Sequence, residues 1–138
     1  KPRRRPPPTR RAAPGGPVSA TSDPLALQLL ALYNQVRLIR RNLGHVLDES
    51  APAPWRRAAA AALLSNATTA AAMASRLAET QAPKTHAARL IVDARARWLR
   101  AAVDRVQRTW SERAGRPLNA DLAHVMGELS KVLQRVTR

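Results

Sequence analysis

Apolar residues recur along this chain at alternating intervals of four and three. From Leu25 they fall at Leu29, Leu32, Val36, Ile39, Leu43 and Val46, a heptad spacing that holds one stripe on a single face of an α-helix. Ser22 or Asp23 stands where an N-cap is needed, with Pro24 in the first turn, where a missing N–H costs nothing. Asp48-Glu49-Ser50, Pro52 and Pro54 end the pattern, because proline and the residue before it resist helical geometry.

The same spacing returns three more times. Leu63, Ala67, Ala70, Ala74 and Leu77 form a stripe of mostly small residues, which lets a neighbouring helix come close but offers little apolar area. Val92, Ala96, Leu99, Val103, Val106 and Trp110 form the third stripe, between Pro83 and the Gly115/Pro117 stop. Leu122, Val125, Leu129, Val132 and Val136 form the fourth, with Asn119 as its cap. No segment alternates with a period of two, so the expected fold is all-α. It is an antiparallel four-helix bundle with coiled-coil-like heptad packing, its helices at about 24–48, 54–81, 85–114 and 119–137. Short connections favour an up-down-up-down order.

The first 22 residues read differently. They hold Lys1, Arg3, Arg4, Arg5, Arg10 and Arg11, no acid, six prolines and a Gly-Gly pair. A segment this polar and proline-rich buries too little to fold alone and is expected to be a disordered, basic, Pro/Arg-rich arm. The expected organisation is therefore an arm over 1–22 and a single bundle over 23–138.

Composition adds a partner class and then weakens it. A net charge of +15 on 138 residues points to nucleic acid or another polyanion. However, arginine outnumbers lysine 21 to 3, alanine fills a fifth of the chain and phenylalanine is absent. GC-rich coding, cellular or viral, produces the same pattern. The absence of cysteine removes disulfides and thiolate metal sites. The alanine-rich stretch from Ala58 to Ser75 is too weakly apolar to span a bilayer, and no signal-peptide pattern is visible. Nucleus, nucleoid or virion fits these residues better than secretion.

Six cations without an acid on an extended arm can neutralise several phosphates and release their counterions, so the arm is the expected polyanion-binding site. It also fits a localisation signal, and its Arg11-to-Pro17 stretch has the spacing of a PxxP ligand loosened by glycine. On the third helix Arg95, Arg97, Trp98, Arg100 and Arg105 form a possible secondary basic and aromatic surface, since single strands bind where aromatics and cations interleave. Arg89, Asp93, Arg97, Arg100, Asp104 and Arg108 stand in pairs four apart, the spacing of exposed helix ion pairs. That lacing argues for a merely solvated face.

Catalytic chemistry has little to use. His45, His86 and His124 are not spaced for one site. Asp121-x-x-His124 is one half of a di-iron pattern whose second copy is missing. Asn66-Ala67-Thr68, a glycosylation triplet, lies inside a helix pattern. No cofactor, metal or enzymatic activity is expected. The functional expectation is a non-catalytic structural or assembly protein of a nucleic-acid-containing particle, its bundle docking on protein and its arm on nucleic acid. The alternative is a helical protein-protein interaction or regulatory module in which the arm only localises the chain.

Overall fold

In a computed structural model, the structure describes residues 22–110 together with Glu112, His124, Gly127, Glu128, Ser130, Lys131 and Gln134. The arm's Lys1, Arg3, Arg4, Arg5, Arg10 and Arg11 lie outside the described residues. The described part is all-helical: α1 spans Pro24–Leu47, α2 Ala53–Glu79 and α3 His86–Thr109. Three helices are therefore described where four were expected. Most of the segment expected to form the fourth, 119–137, lies outside the described residues, and the few positions described there have helical backbone.

Each helix starts and stops for local reasons. The Asp23 carboxylate accepts from the backbone N–H groups of Leu25 and Ala26 at 3.0 and 3.3 Å, satisfying two of the unpaired donors of the first turn of α1. Beyond α1, the Asp48 carboxylate accepts from both the hydroxyl and the amide of Ser50, which folds the chain into a tight turn. Those two donors hold the Asp48 carboxyl below its ordinary range. α2 has no side-chain cap and begins from the extended Pro52. Thr85 caps α3, its hydroxyl accepting from the Ala88 N–H at 3.0 Å.

The heptad stripes are the core. Every member of the α1 stripe is buried, and Leu29, Leu32, Val36, Ile39 and Leu43 are wholly removed from solvent. They meet Leu63, Ala67, Ala70, Ala74 and Leu77 of α2, and Val92, Ala96, Leu99, Val103 and Val106 of α3. Trp110 closes the cluster beyond the end of α3 and is 9% exposed. No described side chain contributes a buried polar atom without a hydrogen-bond partner, as a dry core of this kind requires.

The described helices run up-down-up, and α1 takes the central place among them. α1 packs along both α2 and α3, whereas α2 and α3 do not pack along one another. Contacts between α1 and α2 pair early residues with late ones, Gln28 with Thr80 and Asn42 with Asn66, so these helices are antiparallel. Contacts between α1 and α3 rise together, Ala26 with Arg95 and Tyr33 with Trp98, so these are parallel. Successive described helices therefore alternate in direction, and what differs from the expected four-helix bundle is that three helices are described, with α1 packed against both of the others.

Apolar area explains the choice. Burial is worth about 25 cal/mol per Å², and the Leu/Val/Ile stripe of α1 offers α3 far more area than the alanines of α2. The connection from Thr80 to Thr85 spans up to about 20 Å at full extension, enough to carry the chain across the end of the assembly to reach α1.

Candidate nucleic-acid interface

The two sides of α1 are chemically unlike. Along α2 the seam is lined by amides and a hydroxyl that hydrogen-bond one another. The Asn42 amide donates to Asn66 Oδ1 at 2.9 Å, the Asn66 amide donates to Gln35 Oε1 at 3.2 Å, and the Thr80 hydroxyl donates to Gln28 Oε1 at 2.6 Å. Arg56 reaches back so that its Nε donates to the Val46 carbonyl at 3.0 Å, pairing a carbonyl that the end of α1 leaves free. Asn66, read in the sequence as part of a glycosylation triplet, is occupied in this chain of amides.

Along α3 the seam is aromatic and basic. Tyr33 and Trp98 meet with ring centroids 6.2 Å apart and planes tilted by 52°, a geometry favoured by the ring quadrupoles. The Arg37 guanidinium lies 5.9 Å from the Tyr33 centroid, within the range of a cation–π contact. Trp98 remains 55% exposed, so much of its indole is available to a third planar group. Asn34, Arg37, Leu38, Arg40, Arg41 and Gly44 line a shallow open depression on the outer side of α1. Arg37, Arg40 and Arg41 are exposed, and no acidic residue occurs anywhere in Pro24–Leu47.

The secondary surface expected on α3 is divided by this geometry. Arg95 is partly buried, and its Nη1 donates to the Ala26 carbonyl at 2.8 Å, fastening α3 to the first turn of α1. It is a structural strap rather than an exposed cation. At about 100° per residue, Arg105 lies within about 20° of Trp98 on the helix face, while Arg97 and Arg100 lie about 100° and 160° away. Arg105, Arg97 and Arg100 are exposed. Arg105 shares a second shallow depression with Asp104, Arg108 and Glu112, and these acids offset its charge. Trp98 and Arg105 therefore belong with α1, and Arg97 and Arg100 with a different side of the molecule.

The ion-pair lacing read from the spacing of α3 is not formed. Among the described residues the only ion pair joins Lys131 to Glu128, at 3.3 Å. Arg89, Asp93, Arg97, Arg100, Asp104 and Arg108 make none. Exposed pairs gain little against the entropy of fixing two long side chains, so spacing alone does not enforce them. Trp55, in the first turn of α2, is 68% exposed.

Tyr33, Arg37, Arg40 and Arg41 were not singled out from the sequence. Their signal was present: α1 carries three arginines and no acid. What the sequence alone could not supply was that α3 lies along this helix and brings Trp98 to Tyr33. Among the described residues no group of three His, Asp or Glu side chains is placed to hold a metal ion, and no helix is long and apolar enough to cross a membrane. His124 is exposed, and its expected partner Asp121 lies outside the described residues. No family model, curated protein or solved structure matches the chain.

Proposed function

We propose that this protein is a non-catalytic structural or assembly protein that contacts nucleic acid, with its helical domain as scaffold and its N-terminal arm as one point of contact. The observation that carries this reading is the acid-free outer side of α1, where exposed Arg37, Arg40 and Arg41 stand beside the Tyr33–Trp98 pair. A surface that places free guanidinium groups beside an exposed aromatic face suits phosphate and base together. The arm's six cations add a sequence-independent electrostatic contribution. The remaining large exposed apolar residues, among them Leu27, Leu64 and Leu90, are spread over three helices, which gives less support to a helical partner.

The same proposal closes the fold as a four-helix bundle. α2 and α3 flank α1 without packing along one another, which leaves one corner of a four-sided arrangement to fill. The stripe Leu122, Val125, Leu129, Val132 and Val136 is the apolar face such a corner needs.

Binding of labelled mixed-sequence DNA and RNA, titrated against salt, tests the function. The full chain should bind with a steep negative salt slope. The full-length variant with all six arm cations replaced by glutamine should bind more weakly and with a shallower slope. Weak, salt-insensitive binding by both would refute the proposal, and concentration-dependent self-association without nucleic-acid binding would favour the interaction-module alternative.

A further inference from the structure

Resting on that reading, we infer that the α1–α3 seam is itself a binding site for single-stranded nucleic acid. In it an unpaired base stacks on Trp98, while Arg37, Arg40 and Arg41 take the adjoining phosphates. Trp98 packs against Tyr33 and exposes over half of its surface, so a flat ligand meets a side chain that a neighbouring ring already restrains. Pre-orientation lowers the entropy lost on binding. Arg37, Arg40 and Arg41 follow one another by three and one residues, which spreads them along about 6 Å of α1 and within about 80° of Tyr33 around its axis. None of the three makes a hydrogen bond or ion pair among the described residues, and the Arg37 guanidinium lies over the Tyr33 ring. All three can therefore turn to a ligand without breaking an internal hydrogen bond.

Two features select a single strand over other polyanions. A duplex keeps its bases stacked on one another and would leave the Trp98 face unused, whereas an unpaired base brings both a π-face and a phosphate. A sulfated polysaccharide or acidic peptide would use the arginines but gain nothing from the indole. Arg105, on the same side of α3 as Trp98, extends the surface, with Asp104 and Glu112 beside it marking where the basic character ends.

The test uses the full chain with its six arm cations replaced by glutamine, so that the arm cannot mask the seam, and reads the anisotropy of a labelled mixed-sequence single strand. Trp98→Ala should weaken binding roughly 5- to 150-fold, while Trp98→Phe, which keeps a π-face, recovers most of it. Replacing Arg37, Arg40 and Arg41 together by glutamine should reduce the salt slope by about 2, at about 0.7 for each phosphate no longer neutralised. Circular dichroism should give matching melting curves for parent and Trp98 variants, which separates weakened binding from a damaged fold. Equal affinity of Trp98→Ala and parent, or equal binding of single strand, duplex and heparin, overturns the seam site and leaves a general basic surface. Binding by the native chain but not by the arm-neutralised parent also overturns it, while the proposed function stands on the arm. Absence of binding by the native chain overturns both.

Discussion

The seam between α1 and α2 and the seam between α1 and α3 are built on one stripe of α1, yet they solve different problems. Against α2 the flanking positions are Gln28, Gln35 and Asn42, whose amides each hydrogen-bond Asn66 or Thr80. Against α3 the flanking positions are Ala26, Tyr33 and Arg37, with Arg40 and Arg41 beyond them. Only Arg95, through its bond to Ala26, is used up in holding the helices together. Neutral polar groups that pair with one another fix alignment and offer nothing to a ligand. Cations left without internal partners contribute little to the fold and remain available to an outside charge. Burial of polar groups thus separates the side of α1 that specifies structure from the side that can bind.

The comparison breaks most severely where the two seams meet. Ile39→Ala should destabilise the protein by about 2–5 kcal/mol, since a wholly buried side chain is removed and a cavity remains. Urea unfolding would measure it, and a loss below about 1 kcal/mol would mean that α1 is not the shared spine. Asn66→Ala comes next, at about 1–2 kcal/mol, because it strands the Asn42 donor and the Gln35 acceptor in a partly buried site. Nucleic-acid affinity should not change with it. Arg95→Met should cost about 1 kcal/mol by removing the bond to the Ala26 carbonyl while leaving the salt dependence of binding intact. A salt slope that falls in Arg95→Met would place that guanidinium among the binding cations after all.

Replacing Arg40 and Arg41 by glutamine should shift stability by less than about 0.5 kcal/mol, the inverse of Asn66→Ala. The smallest effect concerns Asp48. Its carboxyl is held low by Ser50, so its contribution is present above the ordinary carboxylate value of 3.8. It is lost as pH falls through the lower folded value. Asp48→Asn should therefore flatten the acid side of the melting-temperature profile slightly and change little at neutral pH.

Much of the helical core was legible because heptad spacing reports burial directly. Each stripe residue from Leu25 to Val46, and each from Val92 to Trp110, is buried, and the breaks at Pro52 and Pro83 fall between helices. The order of packing was not legible. Spacing shows which face of a helix is apolar but not which neighbour takes it, and the apolar area on offer carried α3 to α1. The binding surface was half legible for the same reason. Trp98 and Arg105 stood out within their own helix, while Tyr33 and Arg37 acquire their role only from an element some 65 residues away. The lacing of α3 misled because four-residue spacing permits an ion pair without requiring one.

The central position of α1 also carries a kinetic consequence. Its contacts with α2 close through the short turn at Asp48–Pro52 and can form early as a hairpin, whereas the bond from Arg95 to Ala26 joins residues 69 apart. Loop closure over that distance delays α3 until α1 is already in place. Substitutions in the α1–α2 amide chain should therefore slow refolding, and those in the α1–α3 seam should mainly hasten unfolding. On this account, among the described helices, the one that carries Trp98 docks last and leaves first, and its amides should exchange hydrogen ahead of those of α1.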